Sequence, residues 1–152
     1  MPAKVRLARP GDAGFLAETW RAMSLESEIV PRGLVPDWRE RLVACFRTGI
    51  EDGSQGWFVA EQSGLLVGSA AALLRASSLA AILHRRPAVL AGVYVLPAFR
   101  RQGLARELVL RAIAWSRERG CTHLSLHATA AAEPLYRELG FEDERAMVLN
   151  LP

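Results

Sequence analysis

Residues 93–105 read Val-Tyr-Val-Leu-Pro-Ala-Phe-Arg-Arg-Gln-Gly-Leu-Ala, an apolar run, a basic turn and the start of an amphipathic segment. A helix beginning at Leu104 leaves its first amides without intrahelical acceptors. The amides around Gln102, Gly103, Leu104 and Ala105 can then point at an anion, and the helix end favours negative charge there. Gly103 and Ala105 keep side-chain bulk away from an approaching ligand. Arg100, Arg101 and Arg106 can add charge-assisted bonds to a pyrophosphate. A dinucleotide fold fits poorly, because GxGxxG is missing and no clear acidic ribose partner follows a first βα unit. On chemistry alone, an ordinary strand-to-helix turn with solvated arginines accounts for the segment equally well. A second cluster follows in Leu135-Tyr136-Arg137-Glu138-Leu139-Gly140-Phe141.

The elements that would position these residues follow from periodicity. Residues 5–9 alternate as a first strand ended by Pro10-Gly11. Asp12 can cap a helix whose inner side carries Phe15, Leu16, Thr19 and Trp20. The span 24–36 reads as a loop or broken helix. Asp37 and Glu40 have capping-box spacing, and Trp38, Leu42, Val43 and Phe46 fit a second helix behind them. A polar turn over 48–56 leads to a strand at 56–61, a turn at 62–64 and a returning strand at 65–74. Residues 77–84 fit a short helix and 88–95 a central strand. The clearest helix runs from 104 to 119 and is stopped by Gly120. A strand at 123–128, a short helix at 131–139 and a last strand at 147–151 complete the order β-α-α-β-β-β-α-β-α-β. The hairpin requires antiparallel pairing, and the later βαβ unit requires a parallel pair with a right-handed crossover. An α/β (α+β) architecture, a mixed sheet flanked by helices, satisfies both.

The chain has 152 residues, 51% of them apolar, which suits one domain over residues 1–152 with one substantial core. Its formal charge of +3 is compatible with an anionic ligand and gives no reason to expect a nucleic-acid protein. Cys45 and Cys121 lack metal-cluster spacing, so no metal is expected. No secretory leader is visible, and no stretch reaches the roughly 20 apolar residues of a membrane helix. A cytoplasmic setting is expected, with no membrane partner.

Arg100-Arg101-Gln102-Gly103-Leu104-Ala105 resembles the coenzyme A signature Gln/Arg-x-x-Gly-x-Gly/Ala of the GNAT superfamily of N-acetyltransferases. Val93-Tyr94-Val95-Leu96-Pro97 is similar to the end of that family's fourth strand. The helix at 104–119, the strand at 123–128 and Leu135-Tyr136-x-x-x-Gly140-Phe141 follow at family spacing. The resemblance is strongest across about residues 88–141. It implies a strongly twisted mixed sheet with its fourth and fifth strands splayed at a bulge, and acetyl-CoA as cosubstrate. It also implies pantetheine contacts at Val93 and Val95 and pyrophosphate contacts at 100–105, with Arg106 beside them.

Acetyl transfer to an amine needs a neutral nucleophile, a donor for the developing oxyanion and a proton or hydrogen bond for the leaving thiolate. The resemblance implies Tyr136 for the thiolate, with a phenol of ordinary pKa roughly 10, and the Val95 amide for the oxyanion. Glu26, Glu28, Tyr94 and His127 are candidate bases, and a water chain is another route. Glu26 and Glu28 lie where relatives build the acceptor pocket. His127 shares strand parity with His123 and Ser125, whereas Tyr94 alternates away from Val93 and Val95. Thr129 stands where many relatives carry asparagine, and its shorter side chain leaves that coenzyme-side network unassigned. Neither cysteine occupies a convincing nucleophile position. The expected reaction is direct attack on acetyl-CoA by a primary amine, on a small molecule ahead of a protein N-terminus or lysine. The resemblance allows a homodimer. The competing expectation is a non-catalytic acyl-CoA-binding or sensor module.

Overall fold

A computed structural model of the chain describes residues 2–27, 33–76 and 80–152. Alternating strands build a five-stranded sheet in the order β1 (Lys4–Leu7), β2 (Gln55–Gln62), β3 (Leu65–Leu74), β4 (Pro87–Val95) and β5 (His123–Ser125). The first four pair antiparallel and β5 runs parallel to β4. Ser63 and Gly64, both at positive φ, form the two-residue turn between β2 and β3, matching the twist of the strands it joins.

Period two along the strands divides the core between two helical layers. Phe58, Ala60, Ala70 and Ala72 pack toward α4 (Leu104–Glu118), together with its Leu108, Val109, Ala112 and Trp115. Trp57, Val59 and Ala71 pack on the opposite face, against Leu16 of α1 (Ala13–Glu26) and Phe46 of α2 (Trp38–Asp52). The fully buried Ala70, Ala71 and Ala72 add little thickness to the sheet and let both layers approach it. The Trp115 ring lies directly over Gly56, where a Cβ would come within 2.4 Å of it. Each large apolar side chain buried this way contributes about 1.5–3 kcal/mol.

β4 and β5 then diverge. Only Pro87, Ala88 and Val89 pair with β5, while the rest of β4 continues without it. Against β3, the register steps from Ser69 opposite Tyr94 to Ala71 opposite Ala91, so β4 carries one extra residue. This is a β-bulge, which bends the strand and re-aims its side chains. Gly92 accommodates it at φ +61°, and a Cβ there would meet the Trp57 ring at 2.6 Å. The buried Ser69 hydroxyl donates to the Gly92 carbonyl at 2.8 Å and lies 3.1 Å from the buried Thr19 hydroxyl of α1. The bulge thus has polar anchors on two neighbouring elements.

Several boundaries differ from expectation. α1 continues through residues 24–26, because Ser24 and Ser27 return their hydroxyls to the Trp20 and Met23 carbonyls instead of breaking the helix. α2 continues to Asp52 and ends where Gly53 turns left-handed at φ +76°. Asp12 and Asp37 make no side-chain caps. Asp12 binds Arg6 and the Arg9 amide, and Asp37 binds Arg41. The short α3 covers Ala80–Leu83, and residues 77–79 lie outside the described residues. β5 stops at Ser125, three residues before the expected end, and α5 covers Glu133–Glu138. The expected last strand at 147–151 does not form, and Met147, Val148, Leu149 and Leu151 are exposed. An apolar run makes a strand only where an edge supplies hydrogen bonds, and no described edge pairs with this segment.

Replacing Gly92 with Ala should lower unfolding stability by about 2–4 kcal/mol, combining left-handed strain with overpacking against Trp57. Urea denaturation should show a lower midpoint at unchanged slope.

Candidate functional site

The gap opened by β4 is a cavity of about 770 Å³, within the range of small-ligand sites. Residues 93–95 form one wall, and Arg100, Arg101, Gly103, Leu104, Ala105 and Arg106 form the second. Met23, Glu26 and Ser27 close it from α1, and Thr129, Ala132, Leu135 and Tyr136 from the α5 side.

The second wall is made by a chain reversal. A 3-10 turn at Pro97–Phe99 carries the backbone off β4, and Leu96 remains tied to the Val67 carbonyl at 2.8 Å. Arg101 at φ +64° and Gly103 at φ +79° then turn the chain into α4. The Glu107 amide bonds the Gly103 carbonyl at 3.1 Å as the helix opens. The amides of Leu104, Ala105 and Arg106 precede that bond and have no intrahelical acceptor. Nothing lies within 4 Å of a Cβ built at Gly103, so the space before these amides is open. The loop suits a phosphate on dipole and donor grounds. Gln102 is exposed and its side chain lies outside the cavity lining.

Tyr136 closes the apolar end. It is 8% exposed, packs edge-to-face on Phe141 at 5.7 Å, and burial pushes its phenol above the ordinary value. It is therefore protonated at neutral pH. Among the described residues its hydroxyl has no protein hydrogen-bond partner. Thr129 places α5, its carbonyl accepting the Ala132 and Glu133 amides at 3.1 and 3.0 Å.

At the other end, three residues that the sequence presented separately meet. Glu26 accepts the Tyr94 hydroxyl at 2.6 Å, and Arg100 Nη2 contacts both Glu26 oxygens at 3.0 and 2.8 Å. Arg100 Nε donates to the Val95 carbonyl at 2.8 Å, and the guanidinium lies over the Tyr94 ring at 5.3 Å. The Tyr94 hydroxyl, then Arg100, hold the Glu26 carboxyl below the usual carboxylate range. Burial, then the Glu26 carboxylate, push the Tyr94 phenol up. Glu26 is thus a weak proton acceptor and Tyr94 a weak acid, which disfavours both as bases at neutral pH.

The remaining candidates fall elsewhere. His127 lies beyond the end of β5, exposed and outside the cavity lining, because the strand expected to carry it stops at Ser125. Glu28 lies outside the described residues. Neither cysteine lines the cavity, and burial raises the Cys121 thiol pKa. Ser69 and Thr19 carry no site signal in the sequence, since isolated hydroxyl residues have no diagnostic spacing. No group of three metal-ligating side chains occurs among the described residues. No described helix is long and apolar enough to cross a membrane.

Comparison with known proteins agrees with this geometry. The sequence profile described as the acetyltransferase (GNAT) family matches residues 17–141, and the chain belongs to that family. Aminoglycoside N(6')-acetyltransferase type 1 of Salmonella typhimurium is 26% identical over 94 residues, covering 60% of this chain and 65% of that enzyme. The match therefore spans less than two thirds of the relative's length. A predicted acetyltransferase from Clostridium acetobutylicum, solved with acetyl-CoA, superposes with a TM-score of 0.85 at 20% identity, covering 98% of this chain and 96% of that one. The structure of AAC(6')-Iy with the bisubstrate analogue CoA-S-monomethyl-acetylneamine gives a TM-score of 0.72 at 21% identity, covering 100% of this chain and 99% of that one. These superpositions establish the fold, a mixed sheet flanked by helices.

Because the Glu26 pKa is lowered on folding, its ionic contribution is present above the unfolded carboxylate pKa and lost as pH falls through the folded value. Both partners are about half exposed, so the ion pair contributes at most about 1 kcal/mol. The stability difference between wild type and Glu26→Gln should be measurable at pH 7 in low salt and disappear in acid. Urea titrations from pH 7 to 3 check this, and a difference that persists in acid contradicts it.

Proposed function

We propose that this GNAT-family chain transfers the acetyl group of acetyl-CoA to a primary amine of a small molecule, by direct attack in a ternary complex. The observation that carries this reading is one cavity joining the free amides of α4 to the largely buried Tyr136. The amides and the nearby guanidiniums of Arg100, Arg101 and Arg106 suit a pyrophosphate. The backbone of Val93 and Val95 borders the route from there toward Tyr136, where the pantetheine arm would lie.

One bond forms, between the amine nitrogen and the acetyl carbon, and one breaks, between that carbon and sulfur. The Val95 amide is the proposed donor to the oxyanion. Tyr136, kept protonated by its buried setting, is the proposed donor to the departing sulfur. The proton leaving the amine passes to solvent, because the Glu26 carboxylate is engaged by Tyr94 and Arg100 with its pKa lowered, and His127 lies outside the cavity; Tyr136 regains its proton from solvent after the thiol departs. Holding both reactants between β4 and α5 supplies much of the rate through orientation. A covalent cysteine route has no support, since neither thiol borders the cavity.

The names of the relatives place aminoglycosides first on an acceptor panel, followed by simple diamines and peptide amines. Coenzyme A release that depends on an acceptor, with a matching acetylated product, supports the transferase. Tyr136→Phe should lower kcat by about 10–100-fold while leaving the Kd for coenzyme A within about twofold. Unchanged turnover removes Tyr136 from proton donation. Tight coenzyme binding without turnover on any amine favours a sensor.

A further inference from the structure

We propose that Glu26 and Arg100 form a charge latch between the two halves of the site. Phosphate binding draws Arg100 off the carboxylate and thereby presents Glu26 to a cationic acceptor. The proposal rests on the acetyl-CoA reading above.

The position of the pair carries the argument. Among the described residues, Glu26 is the one acidic residue lining the cavity, against three arginines. It ends α1, whereas Arg100 begins the turn that leads into the α4 amides. The contact is therefore a bridge from α1 to the loop, between two elements that both line the cavity. Only one edge of the guanidinium is committed, through Nη2 to Glu26 and Nε to the Val95 carbonyl. Among the described residues, Nη1 has no protein partner.

The strength of the contact fits a latch. The side chains are 40% and 47% exposed, so water and salt screen the pair and exchange is easy. A pyrophosphate on the loop amides presents more charge and more acceptor oxygens to the same guanidinium, in the planar geometry that arginine favours. When Arg100 turns to it, Glu26 keeps the Tyr94 hydroxyl at 2.6 Å but loses its counter-ion. An uncompensated carboxylate at the mouth then attracts an ammonium. Because the reacting amine must be neutral, the cation held there is a second, non-reacting ammonium. This favours diamines and polyamines over monoamines. Binding of the two substrates is coupled, and the coupling is reciprocal.

Calorimetry on the full chain tests this with coenzyme A and 1,4-diaminobutane as probes and 1,4-butanediol as the neutral control. Glu26→Gln preserves an acceptor for Tyr94 while removing the charge. It should bind coenzyme A about two- to fivefold more tightly than wild type, the release expected from an exposed ion pair. Wild type should bind the diamine more tightly when saturated with coenzyme A, and Glu26→Gln should lose that difference. The diol should be indifferent in both. Equal or weaker coenzyme A binding by Glu26→Gln overturns the latch. Equal diamine affinity with and without coenzyme A, or no diamine binding, overturns the unmasking of Glu26. If wild type binds no coenzyme A, the acetyl-CoA reading falls and the latch with it, whereas binding without coupling leaves that reading intact and removes only the latch.

Discussion

The walls of the cavity follow from the one extra residue that β4 carries beside Gly92. An unbulged β4 would keep its parity along its whole length, and Leu90 and Val95 would face opposite layers. With the bulge, both belong to the α4 side of the core, and Val93 packs there too. β4 leaves β5 after three paired residues, just before this irregularity. The bulge also sends Tyr94 toward α1, where it meets Glu26. The bulge is held on the α1 face of the sheet, by Ser69 and Thr19 and by the close approach of Trp57. Leaving the Gly92 carbonyl without its buried donor would cost about 1–3 kcal/mol, which is why those hydroxyls matter to a site they do not line.

The cavity is electrically divided. One end combines helix amides with guanidiniums, and the other holds a buried phenol with little charge around it. Burial works differently at the two tyrosines. At Tyr136 it acts alone and keeps a proton available. At Tyr94 a carboxylate adds to it, and the proton is committed to Glu26. Two phenols near one cavity thus keep their protons for different reasons, set by surroundings rather than by residue type.

Legibility in the sequence followed the range of the interactions. The hairpin, α4 and the loop at 100–105 are short-range patterns, and each formed close to its expected place. Residues 24–26 misled because serine favours caps and turns, and its back-bonding to α1 carbonyls depends on a helix already present. The run at 147–151 misled for the opposite reason, since its apolar composition is local whereas strand formation needs an edge. Glu26, Tyr94 and Arg100 were each visible as candidates, but their meeting spans separations of 68 and 74 residues. No periodicity encodes a contact of that kind. His127 drew attention through a parity argument that required a strand to continue, and β5 did not continue.

The protonation states constrain how such a site can work. A carboxylate held by a phenol and a guanidinium is a poor base near neutrality, and no other acid among the described residues lines the cavity. The buried phenol is a donor at the same pH. The side chains therefore offer a proton to a leaving group more readily than they take one from a nucleophile. A reaction suited to this asymmetry has a nucleophile that water can deprotonate and a leaving group that departs as a weakly basic anion. A thioester donor meets the second condition, since a thiol with a pKa roughly 8.5 yields a far better leaving group than an alcohol. Amines meet the first through the fraction already neutral in solution. Under the proposed function, catalysis would rest mainly on holding the acyl carbon and the amine together, which would make the geometry of the β4 bulge more consequential than the acidity of any one side chain.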